Sequence, residues 1–122
     1  MQPAIRPFAP DTETWIPERC HIIELENTAD DPAVSIARAR VEPGVTTHRH
    51  LLRGTTERYV IIEGHGCVEI DGLAPQDVGP GDVVVIPPGC PQRIANTGTI
   101  DLIFLAVCSP RFHPDCYEVL PD

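Results

Sequence analysis

Apolar residues along this chain fall in short runs cut by turn residues, and the runs alternate with period two rather than 3.6. VSIARARVE (34–42) alternates and stops at Pro43-Gly44, a strong turn signal. VTTHRH (45–50) opens β-branched, LLRGTT (51–56) reads as a loop around Gly54, and ERYVIIE (57–63) is rich in Tyr, Val and Ile. CVEI (67–70) precedes Asp71-Gly72, a hairpin signal, and LAPQDV (73–78) reads as an edge strand because of Pro75. VVVI (83–86), QRIAN (92–96), IDLIFLAVC (100–108) and a short YEVL (117–120) complete the series, with RCHIIELE (19–26) as the first strand. No window carries a convincing amphipathic helix. Many short strands with frequent turns predict an all-β barrel or sandwich.

Composition changes this picture little. At 122 residues the chain is the size of one domain, 1–122. Residues 1–18 carry Pro3, Pro7, Pro10 and Pro17, which forbids a helix and predicts an extended arm over the surface or a partner. The net charge of −9, with scattered arginines and no lysine, argues against nucleic acid or an anionic membrane as partner. No apolar run reaches membrane-spanning length and no signal-type leader is seen, so a cytoplasmic location is expected. Five cysteines, an odd number without a C-x-x-C pair, read as reduced, mostly buried thiols.

The candidate chemistry lies between Gly44 and Gly64. His48 and His50, two apart in an extended chain, are expected on one side of a strand, with Glu57 facing them from the next. Imidazole with carboxylate is a common mixed metal-ligand set. The same parity sends Tyr59 and Ile61 inward with Glu57, and Arg49 and Arg58 outward. Tyr59 is the pocket candidate. His21, His65 and His113 lie outside this stretch and read as solvated or locally bonded side chains, and Arg53 stands in a loop where it could meet an anionic ligand.

Two ordered motifs carry a family resemblance. Gly44, His48-x-His50, Glu57 and Gly64 resemble the first motif of the cupin superfamily. Gly81-Asp82, Pro87, Gly89 and Asn96 resemble the second, with Gln92 where that motif has a histidine. The loop 51–56 is longer than the family's, and the spacing from Gly44 to His48 is shorter. The resemblance covers roughly residues 33–108 as the barrel, leaving 1–18 as arm and 109–122 as tail.

The resemblance implies a double-stranded β-helix (jelly-roll) barrel, often a homodimer, with His48, His50, Glu57 and Gln92 converging on a divalent metal. Gln92 in place of histidine weakens zinc or nickel more than manganese or iron, because an amide oxygen is a neutral, harder donor. Both dioxygenase and sugar-isomerase chemistry on a small oxygenated molecule are expected alternatives. So are a non-catalytic ligand-binding module and a scaffold dimer with a vestigial site, since one architecture hosts many functions.

Overall fold

The computed structural model describes residues 1–122 as eleven strands and two single turns of 3-10 helix. The strands are β1 (Thr14–Ile16), β2 (Cys20–Glu26), β3 (Ser35–Val41), β4 (His50–Leu52), β5 (Thr56–Glu63), β6 (Gly66–Ile70), β7 (Gln76–Val78), β8 (Val83–Ile86), β9 (Gln92–Asn96), β10 (Leu102–Ser109) and β11 (Tyr117–Val119). They form two antiparallel sheets, ordered β1-β2-β3-β10-β5-β8 and β11-β4-β9-β6-β7. This is the all-β jelly-roll architecture. No helix is long and apolar enough to cross a membrane.

Alternation builds the interior. Along β5, Glu57, Tyr59 and Ile61 are buried while Arg58 and Val60 are not, and along β9 Gln92, Ile94 and Asn96 are buried while Arg93 and Ala95 are not. The inward side chains of both sheets meet in one core that includes Val41, Tyr59, Ile61, Ile86, Ile94 and Phe104. Tyr59 and Phe104 pack with ring centroids 4.3 Å apart. Buried Asn96 ties this core to its loops: its Nδ2 donates to the Val41 and Ile100 carbonyls, each at 2.8 Å, and its Oδ1 accepts from Gly98 N at 2.9 Å.

The chain departs from the expected strands in three places. LLRGTT is not all loop, since Leu51 and Leu52 belong to β4, held by β11 on one side and, through the His50–Gln92 pair, by β9 on the other. VTTHRH is not one strand. Thr46 bridges Ala95 and His50 pairs with Gln92, so four steps on one side face three on the other. The extra residue falls at 48–49, where His48 N donates to the Glu18 carbonyl instead of to β9. An inserted residue of this kind reverses the face of everything beyond it. The arm adds regular structure not expected there: a 3-10 turn at Pro10–Thr12 interrupts it, and Thr14–Ile16 pairs with β2 as β1.

The β5–β6 turn shows why a glycine is required there. Gly64 has φ +82°, and a Cβ on it would lie 2.5 Å from the Asp101 carbonyl oxygen. Gly72 also has positive φ but open space around it. Gly64→Ala is therefore expected to cost roughly 1–3 kcal/mol in strained backbone, plus the displacement of the Asp101 backbone just before β10. Gly72→Ala should cost only the backbone part. Urea denaturation of the two variants checks the order, and equal losses would contradict it.

Candidate functional site

One end of the barrel interior holds a cavity of about 180 Å³. Its walls are mostly apolar, from Ile16, Ile22, Leu52, Phe104, Ala106 and Phe112, and its polar groups are concentrated in Glu18, His50, Glu57, Tyr59 and Tyr117. Glu24 stands at the margin, and Cys108 lies against Glu57. Apolar walls with a few convergent polar groups are the usual form of a small-molecule site.

The β5 and β9 pleats bring Glu57, Tyr59 and Gln92 together. Gln92 Nε2 donates to Glu57 Oε1 at 2.6 Å, and the Tyr59 hydroxyl donates to Gln92 Oε1 in a short contact. The Cys108 thiol, directly across the β5–β10 ladder from Glu57, points at the other carboxylate oxygen at 3.8 Å. Burial, with the Glu18 carboxylate nearby, pushes the Glu57 carboxyl up to about 7, although Gln92 and His50 pull the other way. Tyr59 is pushed up by the same burial.

His50 and Glu18 form the opposite side. His50 Nδ1 lies 2.7 Å from the His48 carbonyl oxygen, a contact that requires Nδ1–H to donate and leaves the Nε2 lone pair free in the neutral ring. Nε2 is 3.5 Å from Glu18 Oε1, and the ring stacks on Tyr117 at 5.0 Å. Glu18 is aimed inward by its neighbour Arg19, which adopts φ +72°, uncommon for a side chain of this size. Arg19 is held there by the Thr46 carbonyl at 3.0 Å and the Asp122 carboxylate at 2.7 Å. Tyr117 is pushed well up by burial and by the neighbouring Glu18 carboxylate, and burial likewise raises the Cys20 thiol, 3.5 Å from Glu18.

Of the four residues expected at the metal, His50, Glu57 and Gln92 come together, and His48 does not join them. The inserted residue at 48–49 turns His48 to the rim, where Nδ1 lies 3.0 Å from Arg19 Nη2 and 3.3 Å from Asp122 Oδ2. The two-apart argument for a shared face fails for that reason. Arg53 pairs with Glu118 and the Asp115 carbonyl, away from the cavity. Glu18 and Tyr117 were not picked out by sequence reasoning. The signal available was the alternation Glu18-x-Cys20-x-Ile22, which carries the inward face of β2 two residues back.

The donors present fit a divalent ion: a neutral imidazole nitrogen with its tautomer fixed, a carboxylate, and an amide whose oxygen and nitrogen exchange by a half-turn. No three His, Cys, Asp or Glu side chains converge on one point.

A two-sheet barrel with a polar end buried among apolar walls defines the class of protein. The family model described as "Cupin domain" matches residues 37–108, and the chain belongs to the cupin family. It is similar to the uncharacterized protein MJ1618 of Methanocaldococcus jannaschii, 34% identical over 86 residues, spanning 70% of this chain and 68% of that one. Among solved structures it resembles a predicted oxalate decarboxylase from Thermotoga maritima, 30% identical with a TM-score of 0.68, covering 75% of this chain and 80% of that one. A Klebsiella pneumoniae protein with a double-stranded β-helix domain superposes with a TM-score of 0.79 over 98% of this chain and all of its own, at 15% identity, a likeness of fold alone.

The raised Glu57 carboxyl sets a pH dependence. Its protonated form is favoured in the folded state, so its contribution to stability is complete below the unfolded value near 4.5 and is lost as pH rises through about 7. The loss amounts to about 3 kcal/mol in chelator-treated protein. Glu57→Gln keeps an acceptor for Gln92 and removes the charge, so it should raise thermal stability at pH 8 and leave it nearly unchanged at pH 4.5. Denaturation across this range tests the sign; a variant less stable than the parent at pH 8 would refute it.

Proposed function

We propose that this chain is a small cupin that holds a divalent metal through His50, Glu57 and Gln92 and binds or transforms a small oxygenated molecule beside it. The observation that carries the reading is the His50 Nδ1 contact to the His48 carbonyl, which frees Nε2 in a ring that lines the same cavity as Glu57. A metal there would act as a Lewis acid toward adjacent substrate oxygens. The protein's own part is to bury the reacting end, orient it against the apolar walls, and hold a proton on Glu57 or the Tyr59 hydroxyl. The likeness to a predicted oxalate decarboxylase supports chemistry on a small oxygenated compound; dioxygenase and sugar-isomerase chemistry are the two forms the proposal covers.

A second reading, a metal-free ligand-binding module, draws on one observation. The Tyr59–Gln92–Glu57 hydrogen-bond chain is already complete without an ion. Metal analysis of protein purified without chelator separates the two. The metal reading expects one equivalent of manganese or iron and its loss in a folded His50→Ala variant. It also expects Gln92→His to tighten zinc or nickel by roughly one to two orders of magnitude. No stoichiometric metal before or after titration would favour the binding module.

Homodimer formation belongs to the same proposal. Met1, Ile5, Phe8 and Trp15 of the arm are exposed apolar side chains that a second copy could cover. Sedimentation should show a dimer for the full chain and dissociation for Phe8→Ser/Trp15→Ser; a monomer at high concentration would count against it.

A further inference from the structure

Eight of the ten large apolar side chains that this chain leaves exposed fall into two groups. Met1, Ile5, Phe8 and Trp15 belong to the arm and β1, while Ile62, Leu73, Val83 and Val85 lie on β8 or beside it. β1 and β8 are the two edges of one six-stranded sheet, which at about 4.8 Å per strand stand roughly 24 Å apart. The arm is tied down at its own edge. Arg6 pairs with Glu26, Gln2 N donates to Asp30 Oδ2 at 3.4 Å, and Glu13 takes Arg38 and Arg40. The Phe8 ring lies 5.5 Å from the Arg38 guanidinium. The arm thus turns its polar groups to its own barrel and its apolar groups to solvent, with Ile5 94% exposed. Neither apolar group can cover the other within one chain.

The face between the two groups is apolar as well. On β8, Val84 and Ile86 are buried, which sends Val83 and Val85 to the outer side of the sheet. The register then carries one row across that side, from Arg38 through Leu105 and Val60 to Val83. Ile103 and Val107 flank Leu105 on β10, half-buried and without a charge among them. Charged groups around this band have partners of their own: Arg40 on Glu13 and Asp101, and Arg58 on Ser109 at the end of β10. An uncovered apolar edge strand such as β8 invites another chain, and folded proteins rarely leave one bare.

We propose that a second copy of this chain packs face to face on the outer side of the six-stranded sheet, about a two-fold axis running along β10. This placement rests on the homodimer proposed above and adds where each arm lands. Turning the sheet about that axis exchanges its edges, so each arm meets the other copy's β8 and both apolar groups are covered at once. A residue on the axis meets its own counterpart, which bars a charge there, and Ile103, Leu105 and Val107 satisfy that condition. Shape agrees. The arm stands as a ridge beside β2 and over β3, whereas β8 is bare. Sheets stacked about 10 Å apart leave a slot over β8 for the ridge of the other copy. β5 and β10 have eight residues each and are about 26 Å long, so each copy offers roughly 600 Å². The two together reach about 1,200 Å², the size at which specific dimers begin. Two copies of net charge −9 repel at long range, so added salt tightens this apolar contact instead of loosening it.

Paired charge substitutions in the full chain test the placement. Phe8→Lys and Val83→Glu each put a charge into the two-fold contact twice, so each alone should weaken the dimer about a hundredfold or more in sedimentation. Mixed in equal amounts, the two variants should associate again. The new ammonium then meets the new carboxylate at one contact, and the other contact is native. Both positions are exposed, and the melting temperature of each variant checks that its fold is kept. Ile5→Lys with Val85→Glu, also at exposed positions, is the second pair if either variant unfolds. A Val83→Glu variant as dimeric as the wild type overturns the placement and leaves an arm-mediated dimer standing. Two monomeric variants that stay apart when mixed overturn it in the same way. A wild-type chain that is monomeric at high concentration overturns the homodimer itself, and the placement with it.

Discussion

Everything at the polar end of this barrel depends on burying one carboxylate. Glu57 lies near the start of β5, a strand between β10 and β8, where alternation turns it inward onto the cavity. Desolvation of that group is the largest electrostatic disturbance among the carboxylates, and the surrounding side chains answer it: the Gln92 amide, the Cys108 thiol and the nearby His50 ring all favour its charged form. Glu18 acts in the opposite sense. The two carboxyl groups therefore share one cavity that no arginine lines, and the Glu18 carboxylate adds to the burial that keeps a proton on Glu57. The outer faces show the reverse arrangement, with Arg38 and Arg40 on Glu13 and Arg93 on Glu69. Ion pairs of that exposed kind add little to stability and mainly keep the surface soluble.

How much of this was legible in the chain depends on regular pleating. ERYVIIE and QRIAN are regular strands, so period-two alternation placed Glu57, Tyr59 and Gln92 inside and Arg58 and Arg93 outside without further information. His48 was not legible, because one extra residue against β9 reverses a face, and nothing in THRH announces the insertion. Glu18 and Tyr117 were hidden for a different reason. Each sits in a segment rich in proline whose direction is set by distant partners: Arg19 by Asp122, and β11 by β4. Local pattern carries no record of such contacts. The glycine and asparagine positions of the two motifs were readable as turns, but the reason Gly64 tolerates no side chain, the Asp101 carbonyl, comes from the residue just before β10.

Cys20 and Cys108 illustrate how position decides reactivity. Both thiols are buried and lean on carboxylates, which raises them far from the thiolate form. They behave as small apolar residues with a weak donor, not as nucleophiles.

Two of the groups that close the cavity, Glu18 and Tyr117, lie outside residues 37–108, the stretch that matches the family, while His50, Glu57, Tyr59 and Gln92 lie within it. The segments that complete the cavity thus lie outside the stretch that matches the family. Substitutions near residue 18 or in β11 can retune which molecule is admitted without touching the pleats that hold Glu57 and Gln92. Relatives that share the barrel can then differ in ligand through two short flanking segments, and comparing those segments is a more direct guide to divergence in ligand choice than comparing the motifs.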